Sequence, residues 1–171
     1  GAAGRVTPTD MTTGKLTVLA DSFNTFPLAA PNDLALLKSG TLFFTSRPGN
    51  PDPNLGNPNA VYRLDLASKL PGGRILDRVL QWKTIHMPNG IVSSPDDKVL
   101  YLIEAHPEAG HNRRIHAYQL DKDDCWNNPR TLIDFSPGRS GPGTHASRSS
   151  TATWTMWSEW CTSSRCCPDR P

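Results

Sequence analysis

Two stretches of the chain follow the same plan. Pro31-Asn32-Asp33 opens one and Pro88-Asn89-Gly90 opens the other, 57 residues apart. Each opening is followed by an apolar strand, a turn and a second apolar strand. Each unit then closes on an alternating strand, at Val61 in the first and at Ile115 in the second, 54 residues apart. A period near 50 built from about four short strands is the signature of propeller blades, sheets that bury their faces against one another around an axis. The predicted fold is therefore all-β, a partial propeller of about two and a half blades.

The local signals agree. Leu34–Leu37 and Thr41–Thr45 flank Lys38-Ser39-Gly40, a hairpin turn. Gly90–Val92 and Lys98–Ile103 flank Ser94-Pro95-Asp96-Asp97, a strong turn sequence. Arg5–Thr7 and Lys15–Leu19 around Met11-Thr12-Thr13-Gly14 predict a further hairpin, the outer part of a preceding blade. Arg74–Leu80 suits either a strand or a short helix, and Arg130–Phe135 is the last apolar run. No segment sustains a 3.6-residue period.

Composition changes abruptly after Phe135. From there to Pro171 there is no Ile, Leu, Val, Phe or Tyr, and the segment is Ser, Thr, Arg, Gly and Pro with three Trp and three of the four Cys. Such a segment lacks the material for an apolar core. Residues 1–141 are read as blades and residues 142–171 as an irregular tail. The formal net charge of the whole chain is +2, from 18 basic and 16 acidic residues. That balance gives no reason to expect nucleic acid as a partner. No apolar run approaches the length of a membrane span. The first residues show no charged-then-apolar leader pattern, and they leave the compartment open.

Set in order, Pro31-Asn32-Asp33, Val61-Tyr62-Arg63-Leu64-Asp65, Met87-Pro88-Asn89-Gly90-Ile91, Ser94-Pro95-Asp96, Leu100-Tyr101 and Arg114–Tyr118 form a series that resembles the gluconolactonase family. That family includes senescence marker protein and luciferin-regenerating enzyme. Asp134–Gly141 resembles the segment the family carries before a later blade. The resemblance implies a six-bladed propeller with one divalent metal, often calcium, at the end of its central channel. It also implies hydrolysis of lactones and related esters, so a small-molecule lactone or ester is the expected partner.

Asn32 and Asn89 match the family's two Asn ligands. Calcium takes hard oxygen donors of this kind, and a bound cation polarises a carbonyl or activates water. The ordinary alternative for both residues is turn chemistry at a strand start. The resemblance adds a Glu ligand expected upstream of Gly1 and an Asp expected in an Asp-Gly-Met type motif, where this chain has Pro142-Gly143-Thr144. Two neutral ligands without a carboxylate predict weak calcium binding. Antiparallel pairing within a blade brings Ser46 and Arg47 to the Asn32 end, and Glu104, Ala105 and His106 to the Asn89 end. Ser46, Arg47, Glu104 and His106 are thus the substrate-side candidates, with Glu104 or His106 available as acid or base. Many relatives carry Asp where this chain has Ser46. His106, His111 and His116 stand five apart, which suits neither a strand face nor a helical pair, and no metal site is expected of them.

The tail invites a reading in another frame. Gly143-Thr144 can be encoded GGG ACG, which contains the Asp codon GAC. Ser150–Trp154 can be encoded TCG ACG GCA ACC TGG, which two bases on reads Asp-Gly-Asn-Leu, a sequence the family's next blade carries. A shift near Pro142 would explain both. Three functions are therefore weighed. The first is a lactonase-like hydrolase impaired in this chain. The second is a non-enzymatic propeller fragment that self-associates through open blade edges. The third is a secreted binding module using Trp154, Trp157, Trp160 and disulfides among Cys125, Cys161, Cys166 and Cys167.

Overall fold

The structure, a computed structural model, describes residues 4–28, 30–47, 58–68, 75–81, 84–108 and 110–136. Ten strands follow in chain order: β1 (Ser22–Phe23), β2 (Phe26–Pro27), β3 (Pro31–Leu36), β4 (Thr41–Ser46), β5 (Ala60–Asp65), β6 (Ile75–Gln81), β7 (Pro88–Ser93), β8 (Val99–Ala105), β9 (Arg113–Leu120) and β10 (Trp126–Asp134). β1 and β2 pair as a two-stranded hairpin, and the other eight form two four-stranded sheets, β3-β4-β5-β6 and β7-β8-β9-β10, each an antiparallel meander in chain order. Two such sheets side by side make two consecutive blades of a propeller, the all-β architecture that the repeat predicts. From Ile75 on, the segment that suits either a strand or a short helix is strand β6, and Arg74 lies outside the described residues. The tail from residue 137 onward, with its Trp and Cys residues, lies outside the described residues.

The apolar residues sort into two clusters, one on each face of the first sheet. Between the sheets lie Leu37, Phe43, Val61, Ile85, Ile91, Leu100, Leu102 and Tyr118, with Trp126 packed alongside. On the other face Leu42, Phe44, Tyr62 and Leu64 meet Val6, Ala20 and Leu28. Successive residues of a strand point to opposite faces, so β4 contributes Phe43 to one cluster and Leu42 and Phe44 to the other. Its six residues are all buried.

Polar groups fasten the sheets together. Thr45 donates to the carbonyl of Asn89 at 2.7 Å, and Asp33 accepts from the amide of Ile91 at 2.9 Å. At the opposite end Thr41 donates to Asp124 at 2.6 Å, and the buried Arg63 donates to the Asp123 carbonyl at 2.9 Å. Asp97 accepts from the Lys38 amide at 2.9 Å, and the Lys38 ammonium donates to the carbonyl of Pro95.

The N-terminal segment differs in detail from the expected pair of strands. Lys15–Leu19 forms no strand; the hairpin is held by two isolated bridges, Val6↔Ala20 and Thr9↔Leu16. Pro8 lies between them and has no N–H to give, so the ladder is interrupted there. The turn itself is well made. Asp10 accepts from the amides of Thr12 and Thr13, and Gly14 takes a φ of 72°. β10 begins four residues earlier than the apolar run suggests. It carries Pro129, which an edge strand tolerates.

Candidate metal and substrate end of the blades

Both Asn motifs fall on a bulge. In β3 the register against β4 shifts between Pro31 and Leu34, and in β7 the register against β8 shifts between Pro88 and Ile91. A bulge bends its strand and re-aims the side chains it carries. The two bulges occupy the same place in each sheet, at the start of the first strand. β3 and β7 are neighbours across the sheet interface, joined there by the Asp33–Ile91 hydrogen bond, and β4 adds the Thr45–Asn89 bond beside it. Asn32 is exposed and Asn89 half-buried. Asp33 is held to the Ile91 amide and to the Leu34 amide.

The register places each remaining sequence candidate. Pro31 pairs with Ser46 and Pro88 with Glu104, so both strand ends return to the Asn end. Ser46 is buried, at 2% exposure. Arg47 is half-buried, and its amide donates to the Ala30 carbonyl. Glu104 is no solvated loop residue: its side chain is 1% exposed. One carboxylate oxygen accepts from the His86 amide at 2.7 Å, and the other meets Nε2 of His116 at 2.7 Å. The Asn112 side chain lies 3.5 Å from the first oxygen. A carboxylate buried this deeply persists because it is paired and hydrogen-bonded. Its partners make it a brace between β8, β9 and the segment before β7.

Around this brace sit residues that the strand pattern did not single out. The backbone amide of Asn112 donates to Nδ1 of His86 at 3.0 Å. The His86 and His111 rings meet edge to face with centroids 5.1 Å apart, and His106 stacks on His111 at 3.8 Å. The ligand atoms of His106, Glu108 and His111 all lie within 4.8 Å of one another. His106 is held below the usual histidine range by burial first and by the neighbouring His111 next, against the opposing charge of Glu108. His116, by contrast, is engaged with Glu104. The five-residue spacing of His106 and His111 hid this grouping, because strand and helix periodicities do not describe a loop. Gly110, with a φ of 82°, was the available signal: it reverses the chain between them.

The far end of the sheets has a different character. A cavity of ≈ 440 Å³ there is lined by Ser39, Thr41, Arg63, Asp65, Asp123 and Asp124. Thr41, Arg63, Asp123 and Asp124 among these are tied up in the bonds that join the sheets. No helix among the described residues is long and apolar enough to cross a membrane.

Compared with known proteins, the sequence matches the family described as the SMP-30/Gluconolactonase/LRE-like region over residues 1–164. Among solved structures it is similar to a gluconolactonase from Xanthomonas campestris, with a TM-score of 0.55 and 25% sequence identity. The likeness covers 74% of this chain and 40% of that one, so the chain spans well under half of the length of that neighbour. No curated protein matches the chain.

Proposed function

The chain belongs to the SMP-30/gluconolactonase/LRE-like family, and from that premise we propose that it is part of a hydrolase opening a lactone or a similar ester with one divalent cation, calcium, at the Asn end. The observation that carries the reading is the pair of matching bulges that bring Asn32 and Asn89 to the same end of two adjacent first strands. Their amide oxygens suit a hard cation in kind. They fall short in charge, since Asp33 is already committed to two backbone amides. The family's Glu and Asp have no matching motif in residues 1–171. Calcium binding and turnover by this chain are therefore weak.

When bound, such a cation polarises the carbonyl under attack. The chain's own part is to hold it through Asn32 and Asn89 and to present the substrate to Arg47 and His106, whose side chains are half-buried. Ser46 and Glu104 lie beneath this surface. Ser46 packs the strand end, and Glu104 positions the histidine segments. The test is gluconolactone hydrolysis followed by acid release, with calorimetry of calcium binding. Slow, chelator-sensitive turnover that Asn89→Ala abolishes supports the reading. Turnover indifferent to chelator and to both Asn32→Ala and Asn89→Ala overturns it.

A second reading, assembly with other chains, is favoured by one observation. Val92, Ile103 and Ile133 on the second sheet are 59%, 42% and 46% exposed, and Ile133, Ile115 and Ile103 pair in one row. Sedimentation of the chain and of Ile103→Thr tests it: self-association weakened by the substitution supports assembly, and a monomer in both removes it. The binding role of the Trp- and Cys-bearing tail falls outside the described residues.

A further inference from the structure

We propose that the β8–β9 loop carries a transition-metal site, formed by His106, Glu108 and His111 and separate from the Asn32–Asn89 end ligands. Two imidazoles and one carboxylate are a donor set suited to Zn²⁺, Cu²⁺ or Ni²⁺ and not to calcium. Their ligand atoms lie within 4.8 Å of one another. A tetrahedral ion with bonds of about 2.1 Å separates its ligands by about 3.4 Å, so closure needs a movement of about 1 Å. Glu108 can make its share of that movement: its side chain is 74% exposed and already stands 3.7 Å from His111 Nε2.

The surroundings set what must move and what stays fixed. The Glu108 amide donates to Nδ1 of His106 at 3.2 Å, so in the metal-free loop the ring proton sits on Nε2, and the ion takes Nδ1 by displacing this long bond. The two rings stack with centroids 3.8 Å apart and planes 22° from parallel, so their in-plane lone pairs run side by side and one ring must turn out of the stack for both to reach one ion. The loop backbone is held from below. Arg113 donates to the carbonyls of His106, at 2.6 Å, and Pro107. Asn112 is tied to His86, which Glu104 in turn anchors. Three protein ligands on an accessible loop leave a fourth position for water or an external ligand.

The test is Zn²⁺ titration of the full chain by competition with a chromophoric chelator. The titration is run without reductant, so that the disulfide-bonded Cys125 offers no thiolate, and after alkylation of any thiol left free. One equivalent of Zn²⁺ is expected. His106→Ala and His111→Ala should each weaken binding at least about tenfold. Glu108→Gln should weaken it too, while Asn32→Ala and Asn89→Ala leave it unchanged. Circular dichroism of each variant checks that the sheets persist. No stoichiometric binding, or binding unchanged in the double variant His106→Ala/His111→Ala, overturns the proposal. This site shares His106 with the lactonase reading, so the readouts separate them: Zn²⁺ affinity tests this site, and calcium-dependent turnover of the Asn variants tests that reading.

Discussion

The two sheets are built to the same plan and live in different surroundings. In the first, β4 is buried at all six positions, because the N-terminal hairpin covers one face and the second sheet covers the other. In the second, β8 alternates. Leu100, Leu102 and Glu104 face inward, whereas Ile103 on the other face is 42% exposed. A strand buried on both faces reads as a continuous apolar run, and one buried on a single face reads as an alternation. Thr41-Leu42-Phe43-Phe44-Thr45 is of the first kind. Val99–Ile103 is nearly as apolar, so its composition is that of a covered strand although one of its faces is open. That mismatch is what makes the outer face of the second sheet the natural place for a further blade or a second copy to pack.

The largest effect should separate the two environments directly. Phe43 is fully buried between the sheets. Phe43→Ala removes its packing and leaves a cavity, at a cost of about 3–5 kcal/mol. Ile103→Ala, on the open face, should stay within about 1 kcal/mol. Urea unfolding of both variants checks the contrast. Comparable losses would mean that the second sheet is covered in solution, by another copy or by residues beyond those described.

The next comparison uses matching positions. Ser46 and Glu104 each pair with the Pro that precedes an Asn motif, one in each sheet. Glu104→Leu strips His86 and His116 of their acceptor in a buried setting, and should cost about 3 kcal/mol. Ser46→Ala should cost no more than about 1 kcal/mol. The same urea experiment reads both. Equal effects would show that Glu104 does not brace the second sheet.

These pairs also show what was legible beforehand. The blade order, the hairpin turns and the return of Ser46 and Glu104 to the Asn ends follow from pattern and antiparallel pairing, which are local or nearly so. The bulges do not. A Pro-Asn-Asp or Pro-Asn-Gly opening is compatible with a plain strand start, and only the register against the next strand reveals the extra residue. The polar network is harder still. His86 and Asn112 lie 26 residues apart and meet only because β7 and β9 flank β8. Glu104 lies one residue past the run Lys98–Ile103 that the sequence marks as strand, and nothing in the sequence names the backbone amide that it accepts from. The missing strand at Lys15–Leu19 has a plainer cause: Pro8, on the facing segment between the two bridges, has no N–H to give to a ladder.

The smallest effect lies at the seam between the sheets. Asp97 is held below the ordinary carboxylate value of 3.8, chiefly by the Lys38 amide and then by the Ser93 hydroxyl, against some desolvation and the repulsion of Asp96. A carboxyl whose folded value is depressed contributes stability that is fully present above its unfolded value and is lost as pH falls through the folded one. The contribution of Asp97 should therefore disappear on acidification below about pH 4. Asp97→Asn isolates this term. Asp97 has a φ of 55°, a conformation that Asn also adopts readily, and the amide oxygen still accepts one bond. The variant should be slightly less stable at neutral pH and should lose less on acidification than the parent, so the two acid-unfolding curves converge at low pH. Curves that stay parallel down to pH 2 would show that the Asp97–Lys38 link does not hold the first sheet to the second. The bonds of Thr41 and Arg63 to the β9–β10 turn would then be the ones that close this end.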